Sequence, residues 1–268
     1  MHLDTALVRE LELASAVTAK HCVVAVKHNH PEYEYLDWCG GIAAFTGVGS
    51  PITQLIGAGL GVAVTAKDLD ELERFFFDRG ADVAIELAPY IHPSFLELLK
   101  ARPYRLEEFS NVLLRPISAA DLQCEHPVGF TVRRATEQDL DLFTRTVAEG
   151  FAEEIAVTDD LLDVVRGFAS LPNSASYVAF ADGIPAGGGS AVFHGKVGGL
   201  FGASTLPPFR RRGIQTALMN VRLQWLAEQG CTMAHIITHP GTSSQRNMER
   251  AGFRSTYTRT KIVRQRPE

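Results

Sequence analysis

The chain has 268 residues, of which 46% are apolar and 21% charged, and its formal net charge is −5. This composition is typical of a globular protein long enough for two domains of ordinary size. The acidic balance disfavours general binding of nucleic acid, which needs a basic surface, and no apolar run is long enough to cross a membrane.

The first residues and the cysteines both indicate a cytoplasmic protein. Residues 1–4 lack the basic and apolar regions of a signal peptide. The four cysteines are scattered without a C-x-x-C spacing, which favours reduced thiols. His21, His28 and His30 lie close in sequence but have no partner with ligand spacing, so we expect a polar loop and no metal site.

Hydrophobic periodicity predicts alternating helices and strands in the first half. The expected elements are a helix over 3–19, strands over 23–26, 40–45 and 52–60, a helix over 65–79, a strand over 82–87, a helix over 93–100 and a strand over 108–115. Residues 57–61 are glycine-rich but lack the full G-x-G-x-x-G spacing, and no helix follows them directly. They indicate a strand that another backbone approaches closely.

Residues 116–129 are rich in Pro, Ser, Ala and Gly and indicate a linker between two domains, 1–115 and 130–268. The second domain is expected to alternate in the same way. Its expected elements are a strand over 130–133, two helices that begin at Thr136 and Thr158, strands over 176–181, 184–194 and 197–205, a helix from Gly213 to Gly230, a strand over 233–239, a short helix from Ser243 to Ala251 and a strand over 256–263.

The most informative stretch follows the strand over 197–205. Two prolines end that strand, and then Arg210, Arg211, Arg212 and Gly213 lead into an amphipathic helix. The first turn of a helix has free N–H groups and the positive end of the dipole, and here no carboxylate occurs before Glu228. The pattern predicts a phosphate site; a solvated basic turn is the alternative.

Residues 210–215 resemble the acyl-CoA-binding motif R-x-x-G-x-G/A of the GNAT acetyltransferase superfamily, with Gln215 at the position of the final Gly or Ala. A backbone N–H can serve this position whatever the side chain is. The resemblance implies acetyl-CoA as co-substrate. It implies binding by Ser204, Thr205, Leu206, Arg210, Arg211, Arg212, Gly213, Ile214, Gln215 and Thr216.

Residues 244–253 resemble the late helix of the same family, which ends in Gly-Phe. Asn247 matches an Asn that contacts the cofactor in the family; an exposed polar residue is the alternative. Many members carry a Tyr as general acid where this chain has Met248, and a thioether cannot donate a proton. A coenzyme A thiolate is already a fair leaving group, so activity does not require that acid.

The resemblance implies an α/β (α+β) fold made of tandem GNAT-like mixed β-sheets flanked by helices. A weak internal repeat supports the tandem, since both halves contain a helix, a Gly, an apolar strand and a Pro in the same order. The first half lacks the arginines, and the helix there opens with Asp68, Asp70 and Glu71, which would repel a pyrophosphate. We therefore expect no CoA binding in residues 1–115.

The implied chemistry is direct attack of an amine on the thioester, with a backbone N–H near residues 204–206 polarising the carbonyl. The amine must lose a proton, and family members often place a Glu on the strand before the phosphate loop. Residues 197–206 contain none. Glu153, which has Glu149 and Glu154 near it, and His239 are the candidate bases; a solvated helix end and a loop histidine are the alternatives.

The sequence thus predicts an N-acetyltransferase that acts on a small-molecule amine. The alternatives are a non-catalytic acyl-CoA-binding or sensing protein and a protein N-acetyltransferase. The sequence does not distinguish a monomer from a homodimer.

Overall fold

The computed structural model describes residues 3–123, 129–153 and 156–267. These residues fall into two units, one within residues 1–113 and 237–268 and the other within residues 114–236. The expected second domain included residues 237–268, whereas packing groups them with the first unit. Part of the expected linker, residues 124–128, lies outside the described residues.

Most elements agree with the sequence expectations in type and order, but the strand Glu34–Trp38 was not predicted, and the strand expected over 52–60 covers only Gln54–Ile56. The helices are α1 Thr5–Val26, α2 Ala66–Phe77, α3 Pro93–Lys100, α4 Leu140–Gly150, α5 Asp159–Ala169, α6 Ile214–Glu228 and α7 Ser243–Arg250. The strands are β1 Glu34–Trp38, β2 Gly41–Phe45, β3 Gln54–Ile56, β4 Val83–Leu87, β5 Arg105–Pro116, β6 Thr131–Arg134, β7 Ser174–Ala181, β8 Ile184–His194, β9 Val197–Thr205, β10 Met233–Thr238 and β11 Arg254–Arg264. None of the helices in the described residues combines the length and apolarity needed to span a bilayer.

The first unit contains a mixed sheet in the order β1-β2-β3-β4-β11-β5. β3 runs parallel to β4, with Leu55 opposite Ile85. The last strand of the chain, β11, pairs antiparallel with β4, with Ile262 opposite Ile85. A strand from the end of the sequence therefore completes the sheet of the first unit.

One helix of the first unit is longer than expected. The predicted strand over 23–26 is wrong, because α1 continues to Val26. Val23 and Val26 lie on its buried face and pack with Ala16 and Ala19 against the sheet. A short apolar run does not distinguish a buried strand from a buried helical turn, and here helical packing decides.

The second unit contains a sheet in the order β10-β9-β8-β7-β6, parallel between β10 and β9 and antiparallel elsewhere. α4 and α5 pack on one face, where Phe143 and Val165 contact Val178 of β7. α6 packs on the other face, where Leu218 contacts the neighbouring Ala179. Successive strand residues point to opposite faces, so the alternation separates the two helical layers.

Glycines in β8 let both layers approach the sheet. A Cβ on Gly188 would lie 2.8 Å from Cγ2 of Val147 on α4, and one on Gly189 would lie 3.1 Å from Cζ of Arg222 on α6. Gly150, the last residue of α4, likewise leaves room for Ser204. The ends of α4 and β9 are thereby brought together at one edge of the unit.

The order hairpin, strand, helix, strand, helix, strand occurs twice, from β1 to β5 and from β7 to β11. In both series the third strand runs parallel to the strand that follows the helix. The α/β fold with mixed sheets and flanking helices is therefore confirmed, and the recurrence agrees with a tandem arrangement.

Candidate functional site

The site begins where β9 separates from β10. Their parallel register joins residues 197–199 to residues 233–235, while β9 continues to Thr205. Among the described residues, no pair in that register extends past Gly199. The backbone groups along this edge of residues 200–205 are therefore available to hydrogen-bond a ligand laid beside the strand.

A β-bulge redirects the same stretch. Gly188 lies opposite Ser204, but Ser190 lies opposite Phe201, so β9 has an extra residue between them. Gly202 has a φ of 56°, in the left-handed region that glycine adopts without strain. Such bulges bend a strand and redirect the groups that follow, here residues 203–205.

Ser204 and Leu206 are already engaged within the protein. The buried Ser204 hydroxyl donates to the carbonyl of Val147 on α4 at 2.9 Å. The Leu206 N–H donates to the carbonyl of Ala186 at 2.9 Å, so it is not available to polarise a substrate carbonyl. Within the predicted segment, residues 204–206, only the backbone before Leu206 can polarise a substrate carbonyl.

The start of α6 has the features of an anion site. Gly213 is its N-cap with a φ of 84°, no side chain caps the helix, and no acidic residue occurs in the first turn. Arg211 also has a positive φ, 62°, which is uncommon for a residue with a Cβ. Successive turns of this kind direct backbone N–H groups toward one point.

The first turn of α2 provides the contrast. The Thr65 hydroxyl accepts from the Asp68 N–H, and the Asp68 carboxylate accepts from the Thr65 N–H. Two donors are thus satisfied and a negative charge sits at the helix start. The hydrogen bonds from the Thr65 hydroxyl and N–H lower the pKa of Asp68. A capped, negatively charged helix start disfavours a phosphate at this position; the absence of CoA binding in the first half stays a prediction.

The three arginines of the loop differ in their contacts. Arg210 donates to the carbonyls of Thr205 at 3.1 Å and Gly150 at 3.4 Å, and to the carboxylate of Glu153 at 2.5 Å. Its guanidinium therefore connects the end of α4 to the end of β9.

The other two arginines are freer. Arg212 lies 4.0 Å from Asp182 and packs over the ring of Phe209. Arg211 is exposed and has no side-chain partner within the described ranges 3–123, 129–153 and 156–267. Arg211 and Arg212 are thus the cations best placed to meet a phosphate.

The remaining first-turn residues contribute mainly backbone. Ile214 is 1% exposed and packs in the core with Leu218, so its side chain cannot reach a ligand. Gln215 is half-buried and Thr216 is exposed. That Gln215 serves through its N–H stays a prediction.

The two candidate bases lie in different surroundings. Glu153 is paired with Arg210, and the neighbouring Glu154 lies outside the described residues. His239 belongs to the first unit, with Nδ1 at 3.9 Å from the Glu108 carboxylate. Asn247, half-buried on α7, belongs to the first unit as well.

Sequence reasoning missed Arg222. This arginine is 1% exposed and lies under the β8–β9 bulge, where its guanidinium donates to backbone carbonyls. Burial lowers its pKa to about 10. The sequence contains a signal for this burial, since Arg222 lies on the apolar face of α6, one turn after Leu218.

No cluster of His, Cys, Asp and Glu that could hold a metal ion occurs in the part of the chain that the structure describes.

Comparison with known proteins finds a family model that matches part of the chain. Residues 140–253 match the model of the Acetyltransferase (GNAT) family. No protein with a curated description matches the sequence significantly.

Several solved structures share the fold. A GCN5-related N-acetyltransferase from Kribbella flavida has a TM-score of 0.63 and 16% identity, covering 93% of this chain and 96% of that one. A GCN5-related N-acetyltransferase from Sphaerobacter thermophilus has a TM-score of 0.58 and 18% identity, covering 99% and 95%. A tandem GNAT protein from the clavulanic acid biosynthesis pathway has a TM-score of 0.53 and 12% identity, covering 70% and 65%. These likenesses show a shared fold.

Proposed function

We propose that the protein is an N-acetyltransferase, because residues 140–253 match the model of the Acetyltransferase (GNAT) family. In this proposal acetyl-CoA donates the acetyl group, and the acceptor is the amine of a small molecule.

The observation that carries the proposal is the uncapped start of α6 beside the free edge of β9. The first turn of α6 offers N–H groups, no carboxylate and two adjacent cations, Arg211 and Arg212, which suit a pyrophosphate. Residues 200–205 offer an unpaired strand edge, which suits the amide groups of a pantetheine arm. The two features therefore fit the two chemically different parts of coenzyme A.

Each part of the site has one task in the proposed reaction. Bound acetyl-CoA supplies an acetyl thioester, whose C–S bond breaks as the C–N bond to the amine forms. Backbone N–H groups of residues 203–205 polarise the carbonyl and stabilise negative charge on its oxygen. A general base, Glu153 or His239, accepts the proton that the amine loses. For Glu153 this requires its pair with Arg210 to open.

Substitution of the two candidate bases separates their roles. Loss of the true base should lower kcat by about 100-fold or more while the KM for acetyl-CoA stays unchanged. Glu153→Gln and His239→Gln each keep a polar side chain of similar size. If neither variant lowers kcat, both residues are excluded as the base.

Non-catalytic acyl-CoA binding is the second candidate function. Met248 stands where many family members carry the general acid, and it is 3% exposed. Glu153 is held by a guanidinium, so the position of the general acid and one of the two candidate bases lack a free group. A panel of small amines and short peptides, followed by release of the free thiol, distinguishes the candidates: turnover with small amines supports the proposal, turnover with peptides alone favours a protein acetyltransferase, and no turnover favours binding.

Calorimetric titration of acetyl-CoA tests the cofactor site directly. We expect one site in the wild type, lost in Arg212→Glu/Gly213→Glu because two carboxylates would face the phosphates. Ala66→Glu/Lys67→Glu is the matched control, since it makes the same charge change in the first turn of α2. Binding that survives the α6 variant but not the control would place the site in the first unit and contradict the proposal.

A further inference from the structure

Arg222 is a buried cation that the proposed chemistry does not use. It is 1% exposed, and its Nε donates to the carbonyl of Leu218, one turn earlier on α6, at 2.8 Å. Its Nη1 donates to the carbonyls of Ser190 at 3.1 Å and Phe201 at 3.4 Å. Within the described ranges no carboxylate pairs with it, which is unusual for an arginine removed from water.

The two strand carbonyls explain why an arginine is tolerated there. Ser190 and Phe201 are the last regular pair before the bulge, where the ladder between β8 and β9 is interrupted. A bulge leaves backbone groups without their usual partners, and a buried carbonyl without a donor is unfavourable. The guanidinium supplies several donors in a fixed plane and can serve carbonyls on two strands at once.

The fit around the guanidinium is close. A Cβ on Gly189, which lies opposite the bulge, would be 3.1 Å from both Cζ and Nη1 of Arg222. The absence of a side chain at Gly189 therefore lets the guanidinium of Arg222 pack against the backbone of β8. The sequence pairs a glycine on β8 with an arginine on α6 at the point where β9 bends.

We propose that Arg222 is a positioning residue that holds the bulge of β9 and thereby sets the direction of the N–H groups of residues 203–205. The inference rests on the proposed function, because those N–H groups are the ones assigned to the acetyl carbonyl. Arg222 lies beneath the strand and acts through the backbone.

A positioning role for Arg222 should affect the binding of acetyl-CoA and of CoA differently. CoA and acetyl-CoA share the phosphates and the pantetheine arm, so α6 and the edge of β9 bind both. Only acetyl-CoA has the carbonyl that the redirected N–H groups meet. Arg222 should therefore control the preference for acetyl-CoA over CoA and have little effect on the affinity for CoA itself.

Titration of acetyl-CoA and of CoA into matched variants tests the inference. One hydrogen bond to the carbonyl should give the wild type about a fivefold preference for acetyl-CoA, equivalent to about 1 kcal/mol. Arg222→Met, an apolar side chain of similar length, should bind CoA as the wild type does and lose the preference. Arg222→Lys, which keeps one cationic donor group, should restore part of it.

A second variant reaches the bulge without touching the arginine. Gly202→Ala meets no atom within 4 Å, so its effect comes only from the positive φ of 56° that alanine disfavours. We expect the same loss of preference as in Arg222→Met. Leu226→Met is the control, a volume-conserving change on the same helix whose side chain packs beneath Gly198, away from the bulge.

The outcomes separate the two proposals. A wild type that binds neither ligand contradicts the proposed function and, with it, the role of Arg222. A wild type that binds both ligands equally overturns the inference alone. A preference for acetyl-CoA that persists in Arg222→Met or in Gly202→Ala also overturns the inference. If Arg222→Met weakens CoA and acetyl-CoA binding equally, Arg222 is merely structural and the inference is overturned as well.

Discussion

The guanidinium of Arg210 lies 2.5 Å from the carboxylate of Glu153 and joins the loop before α6 to the end of α4. The sequence predicted one of these residues as a phosphate ligand and the other as a base. In the structure they bind each other, and Arg210 also holds the carbonyls of Thr205 and Gly150. The first arginine of the motif thus connects the proposed cofactor site to the end of α4, where the candidate base Glu153 lies.

This pairing predicts different effects for two adjacent arginines. Arg211→Ala should weaken acetyl-CoA binding about tenfold, since a charge-assisted contact contributes at least about 1.5 kcal/mol, and should reduce its salt dependence. Arg210→Ala should weaken it less than about threefold, because its guanidinium is committed to the protein. Calorimetry at low and high salt measures both, with the exposed Arg145→Ala on α4 as control. Equal losses in the two loop variants would show that Arg210 leaves Glu153 to bind the phosphates.

The first unit depends on a buried ion pair. Glu12 of α1 is fully buried, and its Oε1 accepts from Nε of Arg259 at 2.7 Å and from the Tyr257 hydroxyl at 2.6 Å. Arg259→Met should lower the free energy of unfolding by about 3 kcal/mol, because it leaves a buried carboxylate without its cation.

Chemical denaturation measures this effect. Glu12→Gln/Arg259→Met should be less destabilised than Arg259→Met, since the double variant removes both charges. Arg254→Met, exposed at the start of the same strand, should change stability little. A double variant as unstable as the single one would show that the cluster is held by shape and not by charge.

The carboxyl of Glu86, in the first unit, predicts that the stability of the protein depends on pH. Burial raises the pKa of Glu86 above its ordinary value of 4.5, and the charges of Arg259 and Lys261 only partly oppose this. The folded state therefore holds the proton more tightly than the unfolded state. The contribution of the protonated Glu86 carboxyl to the free energy of unfolding is fully present below about pH 4.5. It is lost as the pH rises through the folded pKa.

Glu86→Gln removes that titration. The variant should be more stable than the wild type at pH 8, and the difference should shrink toward pH 4. Thermal unfolding across this range measures it, with Glu107→Gln, exposed on β5, as control. A difference independent of pH would mean that Glu86 does not carry the effect.

The close approach of α4 to β8 is testable by overpacking. In Gly188→Ala the new methyl group would lie 2.8 Å from Cγ2 of Val147, so we expect a loss of about 2 kcal/mol. Val147→Ala/Gly188→Ala should recover part of that loss, because Val147→Ala removes the clashing methyl groups. Denaturant titration of Gly188→Ala, Val147→Ala and the double variant shows whether the two positions are coupled. Additive effects would mean that the backbone shifts to relieve the contact.

Local patterns in the sequence determined most of the elements and the core of the candidate site. The strand, basic turn and helix over residues 197–228 depend on prolines, a glycine and helical periodicity that act over a few residues. The capped start of α2 and the uncapped start of α6 follow from side chains within one turn. These features need no tertiary information, so the sequence predicted them correctly.

The tertiary structure alone decided the rest. The place of β11 beside β4 depends on pairing between residues about two-thirds of the chain apart, which no local pattern encodes. The engagement of Arg210 by Glu153 and the burial of Arg222 under a bulge depend on which surfaces meet after folding. A charged side chain looks solvent-exposed in sequence, and only packing shows that its hydrogen-bond partners come from the protein and not from water.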